Sequence, residues 1–376
     1  MATTLPPATD YTGSSVTQGG KKTFMTALRA FIADLFGADS TMATAHGAFK
    51  NYDVGTLRNL GLAASVSGNQ LTIALKDAAG NDPSAASPVM VGMRSATLTS
   101  GVANLRSASA AASLVIPLGA TMGQANGVPA RLWVALIDNA GTLELAVMNT
   151  QLGGGQIQPV NESGLITTTA LSAAADNAGV WYSTTARSNV PFRLVSYVEN
   201  TQAAAGTWAT PPTVVQPMGA GVRKPGDVVQ RASTFLGTVV TDTTTIPGDN
   251  TIPQITEGFQ YLALTMTPTS AINTLRTSAQ LVAGSNAAAG TLLTAALFQD
   301  ATANALKANF ASSPGAAYAV TLSLEHQMQA GTASSTTLRV RAGASAAGTT
   351  TVNGSGGGQL MGGVADSYLA VDEIMA

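Results

Sequence analysis

Alternating apolar and polar positions dominate the chain from about residue 57 onward. In the segment QLTIALK, the side chains of Leu71, Ile73 and Leu75 fall on one face of an extended chain, and the residues between them fall on the other. Similar short segments recur at intervals of roughly 8–12 residues, separated by turn-forming sequences, which is typical of sandwiches and barrels. The predicted strands are Gln70–Lys76, Pro88–Arg94, Ser113–Leu118, Arg131–Ile137, Thr142–Met148, Val180–Ser183, Phe192–Glu199, Phe259–Thr267, Leu292–Phe298, Tyr318–Glu325, Thr337–Ala342 and Tyr368–Ile374.

The segments between these strands predict where the chain turns and where it divides. Asp138–Gly141 predicts a hairpin turn. Asp77, Asn81 and Asp82 also indicate a turn, because they lack the spacing and the distal Glu of a calcium loop. Residues 203–226 contain four prolines and predict a closing loop and linker. We therefore expect a mainly β fold with two β-sandwich, jelly-roll-like domains, at residues 53–222 and 223–376.

The segment Phe259–Thr267 differs from the other predicted strands. Its two faces are both apolar, since Phe259 and Tyr261 alternate with Leu262 and Leu264. A strand of this kind is covered on both sides, either by a second sheet of its own domain or by a neighbouring chain.

Residues 1–52 precede the β pattern and predict an N-terminal arm followed by a helix. The helix is expected from Lys22 to Phe36, ending before Gly37. Within it, Phe24, Leu28, Phe31 and Leu35 are spaced 4-3-4, as in a short heptad seam. Two interpretations remain open: the helix packs on its own domain, or it joins identical chains in a short parallel bundle. In the second, these four residues are the oligomer contacts.

Composition narrows the range of functions. Of the 376 residues, only 10% are charged, against roughly 25% in an ordinary soluble domain, so the surface must consist largely of small neutral residues. The net charge of −2 gives no electrostatic footprint for nucleic acid. No segment has the length of apolar sequence that membrane insertion requires. Cysteine is absent, which removes disulfides and thiolate metal sites.

Residues typical of catalytic chemistry are sparse and scattered. The two histidines, His46 and His326, occur in no metal-ligand spacing, and no nucleotide-binding loop or nucleophile elbow is present. We therefore expect no enzyme activity, cofactor or metal. A carboxylate pair assembled between chains is the one catalytic arrangement that the sequence leaves open. Trp133, Trp181 and Trp208 are candidate sugar platforms, although Trp133 lies in an apolar strand and is expected in the core.

Three regions resemble fibre proteins of tailed bacteriophages. VTQGGKKTFMTALRAFIADLFG (Val16–Gly37) resembles the N-terminal helical arm of such fibres. Residues 176–230, beginning DNAGVWYSTTARSNVPFRLVSYVENTQ, resemble a β-module of these proteins. In the last third, TIPQITEGFQYLALTMTPTSAINTL and LRVRAGASAAGTTTVNGSGGGQL resemble a C-terminal sandwich module.

The resemblance implies a virion component that forms a homotrimer, with a short tail fibre contributing to host attachment as the leading interpretation. The N-terminal arm would join other virion proteins of the tail, baseplate or collar. A host cell-surface glycan is a further candidate partner, and loop tips such as Ala344–Gly363 are candidate contacts. A collar or head fibre, a decoration or connector protein without a receptor role, and a polysaccharide depolymerase remain as alternatives.

Overall fold

The computed structural model describes residues 25, 26, 28, 57–97, 99, 103–313, 315 and 318–376. From residue 57 onward the described chain is mainly β, and its one helix is the 3-10 turn Met361–Gly363. The first thirteen strands are β1 (Leu57–Arg58), β2 (Gly61–Ser67), β3 (Gln70–Lys76), β4 (Val89–Arg94), β5 (Ala103–Ala108), β6 (Ser113–Ile116), β7 (Pro129–Asn139), β8 (Thr142–Asn149), β9 (Ile166–Ala170), β10 (Tyr182–Ser183), β11 (Arg187–Val190), β12 (Phe192–Thr201) and β13 (Val214–Pro217). The remaining strands are β14 (Val228–Leu236), β15 (Val240–Asp242), β16 (Phe259–Met266), β17 (Thr274–Ser285), β18 (Leu292–Gln299), β19 (Lys307–Ser312), β20 (Val320–Gln329), β21 (Thr336–Ala344), β22 (Thr350–Val352), β23 (Gly354–Ser355), β24 (Gly358–Gln359) and β25 (Ser367–Ile374).

The described residues include only three positions of the expected N-terminal helix. Met25, Thr26 and Leu28 have helical conformation, and Leu28 is half-buried. Phe24, Phe31 and Leu35 lie outside the described residues, so the helix from Lys22 to Phe36 and its contacts remain a prediction. Within the part of the chain that is described, no helix has the length and apolar character needed to cross a membrane.

Strands β1–β13 form the N-terminal unit, with three sheets. The largest has seven strands in the order β11-β9-β10-β8-β7-β12-β13, and two three-stranded sheets, β1-β4-β5 and β2-β3-β6, accompany it. Leu71 and Ile73 of β3 and Val91 of β4 share one apolar core with Leu132 and Val134 of β7. The two small sheets therefore cover one face of the large sheet.

The central strand β7 is apolar along its length because both of its faces are covered. Leu132 and Val134 enter the core beneath the small sheets. Trp133 and Ala135 enter a second cluster on the opposite face, which also receives Met375 from the far end of the chain. A strand buried on both faces loses polar alternation, which is the pattern that the sequence shows here.

Strands β14–β25 form the C-terminal unit, in which two sheets face each other. One sheet has the order β14-β25-β17-β22-β15, with β20 on the free edge of β17, and the other has the order β16-β21-β18-β19. Leu275 and Leu281 of β17 pack between the sheets against Leu297 of β18 and Val340 of β21. The inward residues are thus fixed by the core, and the alternate residues of the same strands face outward.

The expectation for the linker is corrected, and the expectation for Phe259–Thr267 stays a prediction, because a single chain does not test coverage by a neighbouring chain. The linker 203–226 contains a strand, because Val214–Pro217 pairs with β12 at the edge of the large sheet. The strand β16 is covered within the chain on one side only: Tyr261 and Leu262 are buried, whereas Phe259 and Ala263 are exposed. A shift of register between Gln260 and Leu262 brings these two neighbours to the same buried side, which simple alternation does not predict.

The two units are joined by a buried polar cluster around Arg131 of β7. Its guanidinium bonds Glu199 of β12 through Nη2 at 2.6 Å and donates from Nη1 to Asn273 Oδ1 at 3.0 Å. Asn273 then donates from Nδ2 to Glu373 Oε1 of β25 at 2.6 Å. Trp133 Nε1 donates to the carbonyl oxygen of Ala376 at 2.9 Å. The predicted domain boundaries at 53–222 and 223–376 stay predictions, but contacts between these parts of the chain are extensive.

Candidate functional site

An open groove crosses the outward face of the larger C-terminal sheet. Its volume is about 920 Å³, and it spans the adjacent strands β14, β25, β17 and β20. The lining residues come from four segments distant in sequence: Arg231, Ser233, Phe235, Arg276, Thr277, Ser278, Glu325, His326, Gln327, Tyr368, Ala370 and Asp372. Strand pairing alone brings these residues together.

The groove is built in rows because alternate residues of a strand share one face. Arg231 pairs with Asp372, and Asp372 pairs with Arg276, so these three residues stand side by side on neighbouring strands. Gln327 follows opposite Arg276 on β20. This first row places two guanidinium groups on either side of one carboxylate.

Hydrogen bonds hold this row in place. Arg231 donates from Nε and Nη2 to the two carboxylate oxygens of Asp372, the second at 3.0 Å, which is a fork-like contact. Arg276 donates from Nη2 to Asp372 Oδ2 at 2.8 Å. The carboxylate is buried, whereas the side chains of Arg231 and Arg276 are 67% and 48% exposed. Both guanidinium groups therefore remain accessible from the groove.

The two arginines keep Asp372 ionised. The hydrogen bond from Arg231, supported by Arg276, lowers the pKa of the Asp372 carboxyl from 3.8 to about 2, although burial acts in the opposite direction. Two positive charges and one negative charge leave this end of the groove with a net positive charge. Such a carboxyl group has lost the ability to act as a general acid near neutral pH.

Small side chains form the floor of the groove. Ser233 pairs with Ala370, Ala370 pairs with Ser278, and Ser278 pairs with Glu325. The side chains of Ser233, Ala370 and Ser278 are short, so this second row is lower than the rows on either side. Glu325 closes this row with an exposed carboxylate.

An aromatic pair forms the opposite wall. Phe235 and Tyr368 are directly paired on β14 and β25, and their ring centroids are 6.4 Å apart. Phe235 is 64% exposed. The Phe235 ring borders the groove, and it contacts the Tyr368 ring on the neighbouring strand.

The position of His326 does not indicate catalysis. It lies beside Glu325 on β20 but is half-buried, whereas Glu325 is exposed. Burial, with a contribution from Lys307, lowers the pKa of the imidazole below 6.5, so the ring is neutral at neutral pH. Within the described residues, no group of three or more His, Asp or Glu side chains is placed to hold a metal ion.

The predicted contact loop Ala344–Gly363 reaches this region only with its tip. Its beginning, including Ala344 and Val352, is buried in the core, and only residues 356–362 are consistently exposed. Asn353 donates to the carbonyl oxygens of Leu236 and Thr238, and Gln359 donates to that of Gly237 at 3.3 Å. The tip is therefore fixed next to the end of β14, close to the aromatic wall.

The tryptophans do not provide a sugar platform. Trp133, Trp181 and Trp208 are all buried, and Trp208 Nε1 donates to the carbonyl oxygen of Ala120 at 3.0 Å. The expectation of a core position for Trp133 is confirmed, and the sugar-platform interpretation of all three is wrong. The sequence analysis did not identify Phe235 and Arg276 as site residues. Their only signal in the sequence is that they stand at alternate, outward positions of two strands in which apolar and polar residues alternate weakly.

Comparisons with known proteins identify no family. No protein-family model matches the chain, and no curated protein matches it. Among solved structures, the sugar-binding C-terminal domain of EclA is 20% identical over 31% of this chain and 73% of its own, with a TM-score of 0.19. The VP2 subviral particle of infectious bursal disease virus is 11% identical over 85% of this chain and 78% of its own, with a TM-score of 0.24. Tailspike protein 4 of bacteriophage CBA120 is 14% identical over 34% of this chain and 19% of its own, with a TM-score of 0.17. TM-scores this low do not indicate a shared fold.

Proposed function

We propose that this protein is a structural component of a bacteriophage particle, a short trimeric tail fibre that contributes to recognition of the host surface. The sequence resemblance suggests the particle. The observation that carries the contact role is the open groove, in which hydrogen-bonded charged side chains and an exposed aromatic ring lie on a surface of four paired strands. Localisation to the virion, assembly with other virion proteins through residues 1–52 and homotrimer formation belong to the same proposal.

Binding without catalysis is part of this proposal. The groove contains two carboxylates from different strands, Asp372 and Glu325. Because two arginines hold Asp372 ionised, it is unsuited to protonate a leaving group, and both of its oxygens accept arginine hydrogen bonds that a nucleophile or base would have to give up. This weakens the polysaccharide depolymerase alternative for the groove within one chain, and we propose that the protein is not an enzyme. A collar or head fibre, and a decoration or connector protein without a receptor role, remain alternatives that experiment separates from the tail fibre.

Sedimentation equilibrium of the purified full chain, at micromolar concentration, tests the trimer. We expect a single species with three times the chain mass. A stable monomer under these conditions overturns the trimeric fibre.

Competition tests the contact role: added protein should slow adsorption of the phage that encodes it, and unchanged adsorption with a correctly assembled trimer favours the decoration alternative.

The substitution Leu28→Asp tests the proposed helical seam. A charge placed in a buried apolar contact destabilises it by several kcal/mol, so we expect the trimer to dissociate at concentrations where the wild-type chain remains assembled. The control is Thr26→Asp, because Thr26 is exposed and lies two residues from Leu28, away from the 4-3-4 spacing. Equal stability of both trimers in sedimentation would show that the helix packs elsewhere.

A further inference from the structure

We propose that the groove on the outward face of β14, β25, β17 and β20 is a binding site for an anionic oligosaccharide, with the acidic group held by Arg231 and Arg276 and a sugar ring stacked on Phe235. This deepens the proposed attachment function and rests on it for its biological meaning. The binding chemistry itself follows from the side chains of the groove.

Charge complementarity selects an anionic ligand. Asp372 neutralises one of the two guanidinium groups, so one positive charge remains at this end, whereas the exposed carboxylate of Glu325 lies in the next row on β20. The acidic group of a ligand is therefore placed beside Arg231 and Arg276 and away from Glu325. Within the described residues, Arg276 reaches Asp372 through Nη2 only, which leaves its Nε and Nη1 donors for a ligand. Arg231 uses Nε and Nη2 on Asp372, so it offers Nη1 to a ligand, and Asp372 holds both guanidinium groups in place. Guanidinium donors of this kind match the oxygens of a carboxylate or a phosphate.

The aromatic wall selects a ligand with an apolar face. Phe235 is exposed, and Tyr368 supports it from the neighbouring strand. A sugar ring offers C–H groups on one face and hydroxyl groups around its edge, so it suits an aromatic ring beside polar side chains. Ser233, Ser278 and Glu325 on the floor supply hydrogen-bonding groups for those hydroxyls.

The dimensions select a short chain of sugars rather than a single ion. The groove crosses four strands, and three spacings of about 4.8 Å give a length of about 14 Å. The floor of Ser233, Ala370 and Ser278 lets a flat ligand lie across the strands between the charged row and the aromatic wall. An isolated phosphate would contact the arginines but would leave the floor and Phe235 unused.

Calorimetric titration of the full chain with trigalacturonate, its neutral methyl ester and glucose 6-phosphate tests the site. We expect trigalacturonate to bind, and the methyl ester to bind about tenfold more weakly because it loses the charged hydrogen bonds. Binding by glucose 6-phosphate at least as tight as by trigalacturonate would assign the anionic group to a phosphate-bearing glycan. Absence of binding by all three at millimolar concentration overturns the proposal.

Matched variants locate the binding. Arg276→Gln should weaken trigalacturonate binding about tenfold, and Phe235→Ala should weaken both the acid and the ester. Phe310 is also 64% exposed but lies on β19 of the other sheet, so Phe310→Ala is the control for Phe235→Ala, and Arg339→Gln on β21 is the control for Arg276→Gln. Because Phe235 is exposed, its truncation tests the site even if Arg276→Gln perturbs folding. Equal losses in variants and controls would refute a site in the groove.

The result for the saccharide site can be distinguished from the result for the fibre proposal. Failure of saccharide binding by a chain that forms trimers and slows adsorption removes the groove and leaves the fibre. Saccharide binding by a monomeric chain that does not affect adsorption leaves the groove and removes the fibre. Trimer formation that is lost in Phe235→Ala and retained in Phe310→Ala would show that this face is a contact between chains, which also overturns the saccharide site.

Discussion

Two arginine–carboxylate clusters in this protein differ in their exposure to solvent. Arg131 is 2% exposed and has its guanidinium within 4.7 Å of the Tyr197 ring centroid, in addition to its bond with Glu199. Arg231 and Arg276 are largely exposed and share one buried carboxylate, Asp372. The first arrangement uses the donors of the arginine within the protein, whereas the second leaves donors available at the surface. Both clusters use arginine, and the burial of the guanidinium group decides whether its donors bind within the protein or remain available at the surface.

Stability in acid should depend on Asp372. Its pKa of about 2 in the folded protein lies below the ordinary value of 3.8, so the unfolded chain takes up the proton first. The stabilisation is therefore complete above about pH 4 and is lost as the pH falls from about 4 to 2. Asp372→Asn should lower the free energy of unfolding at neutral pH by about 1–2 kcal/mol, since both arginines are solvent-exposed. Urea unfolding across this pH range measures the free energy of unfolding of the wild-type protein and of Asp372→Asn.

The control for this prediction is Asp82→Asn, because the pair of Lys76 and Asp82 has a similar distance of 2.7 Å but a 59% exposed carboxylate. We expect little change from it. The same pH dependence in Asp372→Asn and wild-type protein would mean that the carboxylate does not carry this stabilisation.

At the scale of single elements, the hairpin between β7 and β8 shows how a turn sets a register. Asn139 pairs with Thr142, so Ala140 and Gly141 form a two-residue turn. Their φ angles are +51° and +100°, the left-handed values of a type I′ turn. Glycine adopts such values freely, whereas an alanine at φ +51° is strained. The hairpin was predicted from Asp138–Gly141 and is confirmed.

Relief of this strain should stabilise the protein. We expect Ala140→Gly to raise the free energy of unfolding by about 0.5–1 kcal/mol, because Gly removes the Cβ that disfavours the left-handed conformation. Thermal unfolding measures the gain as an increase in Tm. Ala110→Gly is the control, since Ala110 is an exposed loop residue without positive φ, and there the added freedom of the unfolded chain should lower Tm. A lower Tm in both variants would contradict a strained turn.

At the scale of the whole molecule, the cluster around Arg131 links the two units. It connects β7 and β12 of the N-terminal unit to Asn273 and Ala376 of the C-terminal unit. Met375 adds apolar contact by entering the cluster around Trp133. Contacts of this kind join the two units through both polar and apolar side chains.

Removal of the guanidinium should uncouple the two units. We expect one unfolding transition for the wild-type chain and two for Arg131→Met, because the substitution leaves Glu199 and Asn273 without their buried partner, at a cost of about 3 kcal/mol. Calorimetry measures the number of transitions. The control is Arg187→Met, because Arg187 bonds Glu144 at the same 2.6 Å but is half-exposed and lies within one unit. One unchanged transition in Arg131→Met would show that other contacts couple the units.

The sequence by itself determined the β character of the chain and most of its inward-facing strands. Strong alternation at Gln70–Lys76 and continuous apolar runs at Arg131–Ile137 and Leu292–Phe298 require burial, and the structure buries them. Low charge and absent cysteine likewise follow from residue counts. These properties depend on neighbours along the chain, so a pattern in one dimension is sufficient to predict them.

Tertiary structure alone decided the central strand β17, the junction and the groove. Thr274–Ser285 has small or polar residues at many inward and outward positions, so its alternation is weak, yet β20, β25 and β22 all pair with it. Arg231, Arg276 and Asp372 become neighbours only when three strands, separated by up to 141 residues, pair in one register. The physical reason is that a sheet surface depends on strand order and register, and neither is encoded by the local alternation that reveals each strand.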